Sequence, residues 1–358
     1  MGGVMRAVEV KGGKGPATSL FINPETPKPE PKEGDAIVRI KAFGLNRMDL
    51  IQREGNYPVP PQAPSTLGVE FSGIIESFGP GPHGDFQIGD AVFGLAYGGA
   101  YAQYIAVSSK MLLHKPDSFT WETAAGIPET WITATQALHL VGEFAPGKTV
   151  LWHAGVRLSL YDFPLFPPMQ QLKIPYIKAS GVSIAGIQLS RDSGASAVYV
   201  TAGTDEKCRF IERELGATKA FNYKTQDWAK EILEATGGKG VDLIIDFIGA
   251  SYFQKNLIAA GKDARWVLLG MMGGTKLDGV DYGMLLYKRI RLEGSTLRSR
   301  DPDYQGRLRD KLAEYIPHFE SGKLKVLIDT VLPMDDIVKA HQQLEENKTT
   351  GKIICTVP

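Results

Sequence analysis

Cysteine is almost absent from this chain, whose 358 residues include only Cys208 and Cys355. Two distant thiols exclude a thiolate zinc site and a disulfide framework. None of His83, His114, His139, His153, His318 or His341 stands in a metal-ligand spacing, so no metal is expected. Net charge is missing too. Lys plus Arg and Asp plus Glu number 40 each, leaving no overall field to attract nucleic acid or an anionic membrane. No apolar run approaches the roughly 18–20 residues that cross a bilayer, and Met1–Arg6 lacks the apolar core of a secretory signal. These absences predict a soluble, cytoplasmic protein whose partner is neither nucleic acid nor membrane.

What is present is length enough for two domains and two textures. Over the first 110 or so residues, short alternating runs such as Asp35–Ala42, Gly73–Phe78 and Tyr101–Ala106 lie between Gly and Pro. Period-two alternation between turn signals predicts a mostly antiparallel β domain. From about residue 121 helix alternates with buried strand. Helices are expected over Trp121–Val141, Ile184–Ser193, Glu206–Leu215 and Asp227–Thr236, with strands over Thr149–Trp152, Ala197–Thr201, Ala220–Asn222, Val241–Phe247 and Trp266–Leu269. Strands without alternation, each followed by a helix, predict an α/β fold with a parallel sheet covered on both faces. The tail reads as a helix over Arg307–Phe319, a strand over Leu324–Ile328, a helix near Met334–Asn347 and a strand over Lys352–Val357.

The chain breaks its own pattern once. Thr149-Val150-Leu151-Trp152-His153-Ala154-Gly155 is a strand running into a glycine turn, and Ser180-Gly181-Val182-Ser183 opens an apolar helix. Joined directly, these would form a dinucleotide pyrophosphate turn, with small residues admitting the phosphates to a helix N-terminus. Val156 to Lys178 stands between them. The end of the second strand has no carboxylate for a ribose 2′-hydroxyl. It carries Gly203 and Thr204, with Lys207 close behind, which suits the 2′-phosphate of NADP, although Asp205 is near and Lys207 also reads as a solvated helix residue. Later strands end in Asp246-Phe247-Ile248-Gly249 and Leu269-Gly270-Met271-Met272, where the ligand of an open α/β sheet lies. In the first domain, Asn46 and Asp49 form a polar pair beside an apolar strand, or a loop in which they bond their own backbone. Tyr57 in its Pro-rich loop is a pocket wall or packing.

Gly44-Leu45-Asn46-Arg47-Met48-Asp49, Leu67-Gly68-Val69-Glu70-Phe71-Ser72-Gly73, Gly89-Asp90-Ala91-Val92-Phe93-Gly94, Ala124-Ala125-Gly126-Ile127-Pro128-Glu129-Thr130, Phe221-Asn222-Tyr223-Lys224, Thr296-Leu297-Arg298-Ser299-Arg300 and Gly351-Lys352-Ile353 follow in order. This series resembles the quinone oxidoreductase branch of the zinc-independent medium-chain dehydrogenase/reductase superfamily, over nearly the whole chain. The resemblance implies a chaperonin-10-like β domain at 1–130, completed by 300–358, and a Rossmann NADP-binding domain at 131–299, interrupted by the insertion 156–178. It implies NADPH as hydride donor, a quinone or related activated enone as substrate, no zinc, and a homodimer. A sheet edge near Ile244 or Trp266 would serve the dimer. Gly203, Thr204, Lys207 and Tyr223 match residues that bind the 2′-phosphate, and Thr133 a position near the pyrophosphate. Gly249, Gly270 and Met272 would run past the nicotinamide, with Leu297, Arg298 and Asn347 also on the cofactor side. Asn46, Asp49 and Tyr57 match the substrate side, where Asn46 or Tyr57 would donate a hydrogen bond to the developing phenolate. Reduction of an alkene such as an enoyl thioester shares every motif. The remaining alternative is a catalytically impaired nucleotide-binding relative.

The inserted segment carries Pro164, Pro167, Pro168 and Pro175, too dense for a regular helix or central strand. Closing a loop of that length costs on the order of 3 kcal/mol, so the fold survives it. Every Val codon begins GT and a Lys codon can be AAG, the boundary dinucleotides of an intron. The segment therefore reads as a short intron translated in frame, or else as a lid or regulatory loop. Sequencing the transcript across the Gly155–Ala179 junction separates the two: RNA lacking these codons removes the lid.

Overall fold

The computed structural model describes residues 3–153, 181–346, 349 and 351–358. Ala154, Gly155, Ser180, Asn347 and the insertion 156–178 lie outside the described residues. The chain forms two compact units, Met1–Ile132 with Leu297–Pro358, and Thr133–Thr296.

Unit 1 begins with β1 (Val4–Val10) and β2 (Leu20–Pro27), an antiparallel pair. Then come β3 (Asp35–Gly44), β4 (Glu70–Phe78), β5 (Ala91–Leu95), β6 (Tyr104–Ser108) and β7 (Leu112–His114). Unit 2 contributes β8 (Thr149–His153), β9 (Ala197–Ala202), β10 (Lys219–Asn222), β11 (Val241–Asp246), β12 (Ala260–Leu268) and β13 (Arg291–Gly294), after which β14 (Ile328–Pro333) and β15 (Lys352–Thr356) return to unit 1. The strand β3, with Ala36, Val38, Ile40, Ala42 and Phe43 buried, lies at the centre of a sheet ordered β14-β15-β3-β4-β5-β7 and also pairs with β6. All of its pairings are antiparallel except β14 with β15.

Unit 2 is a parallel sheet ordered β10-β9-β8-β11-β12-β13. This is the 3-2-1-4-5-6 order of the doubly wound Rossmann fold. One layer of its core stacks Leu151, Phe221, Trp228, Ile244 and Trp266. The edges are β10 and β13, which corrects the expected edge near Ile244 or Trp266: both side chains are buried, and their strands have neighbours on each side. The sequence reading passed over β13, whose Arg291-Leu292-Glu293-Gly294 is exposed throughout and lacks the apolar mark of a buried strand.

Proline accounts for two further differences. The expected helix Trp121–Val141 is split into Trp121–Ala125 and Pro128–Thr135, followed by a π-helical turn Gln136–Val141. The expected Arg307–Phe319 becomes Pro302–Ala313 and Ile316–Glu320. In each case a proline, Pro128 or Pro317, starts a new helix because it cannot donate to the preceding turn. The strand expected over Leu324–Ile328 is displaced to β14.

The helix Gly181–Asp192 packs on the end of β8. Ser183 Oγ donates to the His153 carbonyl at 3.2 Å, and Trp152 Nε1 donates to Ser190 Oγ at 2.9 Å. Strand end and helix start are thus adjacent, although residues 154–180 separate them in sequence. A Cβ at Gly186 would lie 2.2 Å from the Trp152 ring, so only glycine allows this approach. Gly186→Ala gains about 1 kcal/mol of helix propensity, but overpacking against a rigid indole costs about 1–3 kcal/mol or more. We expect a net loss of stability in urea unfolding followed by tryptophan fluorescence; unchanged or greater stability would contradict the packing argument.

Candidate functional site

In unit 1, the Asn46 backbone N–H donates to Asp49 Oδ2 at 2.8 Å, closing a capping box at the start of the helix Arg47–Arg53. The Asn46 side chain is held from both sides. Its Nδ2 donates to Glu70 Oε1 at 2.8 Å and its Oδ1 accepts from Lys352 Nζ at 2.7 Å. The same ammonium donates to the Leu45 carbonyl at 3.2 Å and forms a buried ion pair with Glu70. The other oxygen of Glu70 accepts from the Glu129 backbone N–H at 2.9 Å, in the first turn of the helix Pro128–Thr135.

Asp49 also accepts from the Tyr101 hydroxyl at 3.0 Å, while its Oδ1 has no partner among the described residues. Burial pushes its carboxyl up to about 6, against the pull of the Asn46 and Tyr101 hydrogen bonds. The Arg53 guanidinium lies 3.1 Å from His341 Nδ1. Burial, then the charge of Arg53, depress His341 to about 3, so the ring is neutral and accepts. Tyr57 lies over the Arg298 guanidinium, 5.2 Å from ring centroid to cation. Burial raises the Tyr57 phenol above its ordinary value, and the charge of Glu129 adds to the effect. Arg298 donates to the Tyr97 carbonyl and to Gln52 Oε1, both at 2.7 Å.

In unit 2, Asp246 closes β11 and organises the loop that follows. Its Oδ1 accepts from the backbone N–H groups of Ile248 and Gly249 at 2.6 and 3.1 Å, and its Oδ2 from Asn256 Nδ2 and Trp266 Nε1 at 3.0 Å each. His153 Nε2 lies 2.8 Å from Asn256 Oδ1, and Nδ1 lies 2.9 Å from Thr201 Oγ1. Burial lowers the His153 pKa, so the ring is neutral. Because Asn256 Oδ1 only accepts, the proton is assigned to Nε2 and Thr201 donates to Nδ1.

The turns after β11 and β12 are hydrogen-bonded to one another. Met272 N–H donates to the Phe247 carbonyl at 3.1 Å and Gly273 N–H to the Ile248 carbonyl at 2.6 Å, which brings Gly249, Gly270 and Met272 into adjoining turns. Gly203 and Thr204 follow β9. Thr204 caps the helix Asp205–Glu214 by accepting from the Lys207 N–H at 3.3 Å. Tyr223 follows β10, and a Cβ at Gly203 would lie 2.7 Å from its hydroxyl. Asp205, the nearest carboxylate, accepts from Asn222 Nδ2 at 2.7 Å. Gly181 and Val182 open the helix that packs on β8, and Thr133 is part-buried in the helix Pro128–Thr135. Leu297 and Arg298 belong to unit 1.

These donors fit a dinucleotide. The Tyr223 phenol lies beside Gly203, where only glycine leaves room, and Lys207 stands in the first turn of the helix that the Thr204 hydroxyl caps. Lys207 and Tyr223 would lie on the ribose side of such a cofactor, the helix starting at Gly181 would face its pyrophosphate, and the Gly249 and Gly270–Met272 turns would flank its nicotinamide. Sequence reasoning missed Glu70, Glu129, Lys352 and Tyr101 in unit 1, and His153, Asp246 and Asn256 in unit 2. Glu70 and Lys352 each open a strand whose next residues are buried, and this was the available signal, since buried charges have partners.

Two family models match the chain, an alcohol dehydrogenase GroES-like domain over residues 32–117 and a zinc-binding dehydrogenase over residues 181–314. Together they span more than half of it. Among the described residues, no group of three or more His, Cys, Asp or Glu is placed to hold a metal ion. The synaptic vesicle membrane protein VAT-1 homolog of Danio rerio is 28% identical over 344 residues, 92% of this chain but only 65% of that protein's length. Human quinone oxidoreductase is 26% identical over 353 residues, 98% of this chain and 97% of that protein. A solved mycobacterial quinone oxidoreductase superposes with a TM-score of 0.81 at 27% identity, covering 98% of this chain and 99% of its own. A mycobacterial protein complexed with NADPH does so with a TM-score of 0.77, also at 27% identity and with the same coverage, 98% and 99%. The chain belongs to the zinc-independent quinone oxidoreductase branch of the medium-chain dehydrogenase/reductase superfamily, a family of oxidoreductases whose Rossmann unit binds a nicotinamide cofactor.

Proposed function

We propose that this protein is an NADPH-dependent reductase of quinones or related activated enones. The observation that carries the cofactor choice is at the end of β9. Asp205, which opens the following helix, accepts from Asn222, and the residues offered to a ribose substituent are Thr204, Lys207 in the first helical turn, and Tyr223 beside Gly203. Such a set attracts a 2′-phosphate and offers a 2′-hydroxyl no carboxylate acceptor. The bound nicotinamide supplies hydride, the one chemical step the side chains cannot perform. The task of the protein is then to hold the acceptor and to stabilise the charge that develops on its oxygen. In unit 1, Asn46 already spends its amide on Glu70 and Lys352, so its role is to fix the helix that carries Asp49. Tyr57, half-buried and kept as a neutral phenol, is the donor for that oxygen.

We also propose a homodimer formed through β13. The strand is the sheet edge, all four of its residues are exposed, and Tyr282, Leu286 and Tyr287 nearby in sequence are 70, 77 and 78% exposed. An unpaired edge beside bare apolar side chains is suited to a second copy of itself.

Fluorescence titration with NADPH and NADH, on the chain as given and on one lacking Val156–Lys178, tests the cofactor. NADPH should bind more tightly, and Lys207→Ala with Tyr223→Phe should weaken it about tenfold or more while leaving NADH nearly unchanged. Equal affinity for the two cofactors would remove the reading. Binding by the shortened chain alone would mean that the insertion disables the phosphate turn, the impaired alternative. Light scattering should give twice the chain mass, falling to one chain in Leu286→Asp/Leu292→Arg; a monomeric parent protein overturns the dimer.

A further inference from the structure

Three carboxyl groups meet in unit 1; Glu70 has both oxygens engaged and Asp49 one of its two. Glu70 is completely enclosed, with one oxygen on Lys352 and Asn46 and the other on the helix Pro128–Thr135. Asp49, equally enclosed, caps the Asn46 helix and accepts from Tyr101. The third, Glu129, differs. It is partly exposed, and among the described residues its carboxyl makes no hydrogen bond or ion pair. Five groups from separate elements act on it: Glu70 of β4, Asp49 of the Arg47–Arg53 helix, Lys352 of β15, Arg298, and the Tyr57 phenol.

We propose that Glu129 is the acid that protonates the reduced product. The inference rests on the reductase reading and names the proton source that reading leaves open. Hydride from the reduced nicotinamide, which is the species oxidised, converts a quinone into a hydroquinone monoanion. The O–H bond of Glu129 breaks as an O–H bond forms on the phenolate oxygen. Glu129 is left as a carboxylate near Lys352 and Arg298, and solvent reprotonates it through its exposed edge. Loss of water around the carboxyl, then the charge of Glu70, push it up to about 7, so near neutral pH a large share of the molecules hold this proton. A carboxyl whose oxygens make no hydrogen bond among the described residues, beside one with both oxygens engaged, suits acid catalysis.

The experiment pairs a titration without cofactor with kinetics. With side-chain carboxyls of glutamate labelled with 13C, the resonance absent from Glu129→Gln should titrate near 7 in the cofactor-free protein. A midpoint in the ordinary range, about 4.3, overturns the proposal. In NADPH-driven quinone reduction, kcat of the parent protein should fall as pH rises through that midpoint. Glu129→Gln should lower kcat about 100-fold and abolish that limb, while Glu129→Asp, still an acid, should restore it. Glu129→Gln with the parent's pH profile overturns the proton donor and leaves the reductase standing. A parent protein that reduces no quinone or enone with NADPH overturns the reductase reading and, with it, this step.

Discussion

A single ammonium group out of reach of water governs unit 1. Lys352 is seated on Glu70, Asn46 and the Leu45 carbonyl, three acceptors for its three hydrogens. Stripping water from a cation costs several kcal/mol unless each hydrogen finds a partner, so its surroundings have little freedom. The Asn46 amide must turn its oxygen to the ammonium, which aims its nitrogen at Glu70. Glu70 is left one oxygen, which anchors the helix Pro128–Thr135 and thereby sets where Glu129 stands. Removing one member of such a buried pair costs about 3–5 kcal/mol, because the other charge is stranded.

Unit 2 solves the corresponding problem with little charge. Asp246 is satisfied by four donors, and from Asn256 the chain of hydrogen bonds runs through a neutral His153 to Thr201. The network ties β8, β9 and β11 together beneath the turns at Gly249 and Gly270. The turns are held by the buried Ile248 side chain and by backbone hydrogen bonds to each other above this polar core. Turns that present backbone to a ligand need such support.

Much of this was legible from residue pattern. Apolar runs such as Val241–Asp246, each followed by a helix, declare a parallel sheet because both faces must be covered. The glycine turns were legible at their strand ends, where the structure sets those after β11 and β12 side by side. What resisted reading has physical causes. The strand β13 is recruited by pairing with β12, not by apolar residues of its own, so no periodicity announces it. Asn46 and Asp49 stood out as a polar pair, but their partners, Glu70, Tyr101 and Lys352, come from other parts of the chain, and no local spacing records that meeting. Glu129 stands within the Ala124–Thr130 motif, but no residue pattern marks its chemistry, since what distinguishes it from Glu70 is which of the two the ammonium claims.

The ion pair joins residues 282 positions apart in the chain, and this has a consequence for biosynthesis. Unit 2 is continuous and can fold as soon as it leaves the ribosome. Unit 1 is not: its sheet lacks β14 and β15, and Glu70 lacks its cation, until residue 352 has emerged. Until then the N-terminal sheet has an open edge and Glu70 has no cation. That makes the newborn chain, rather than the finished protein, the form most in need of a chaperone.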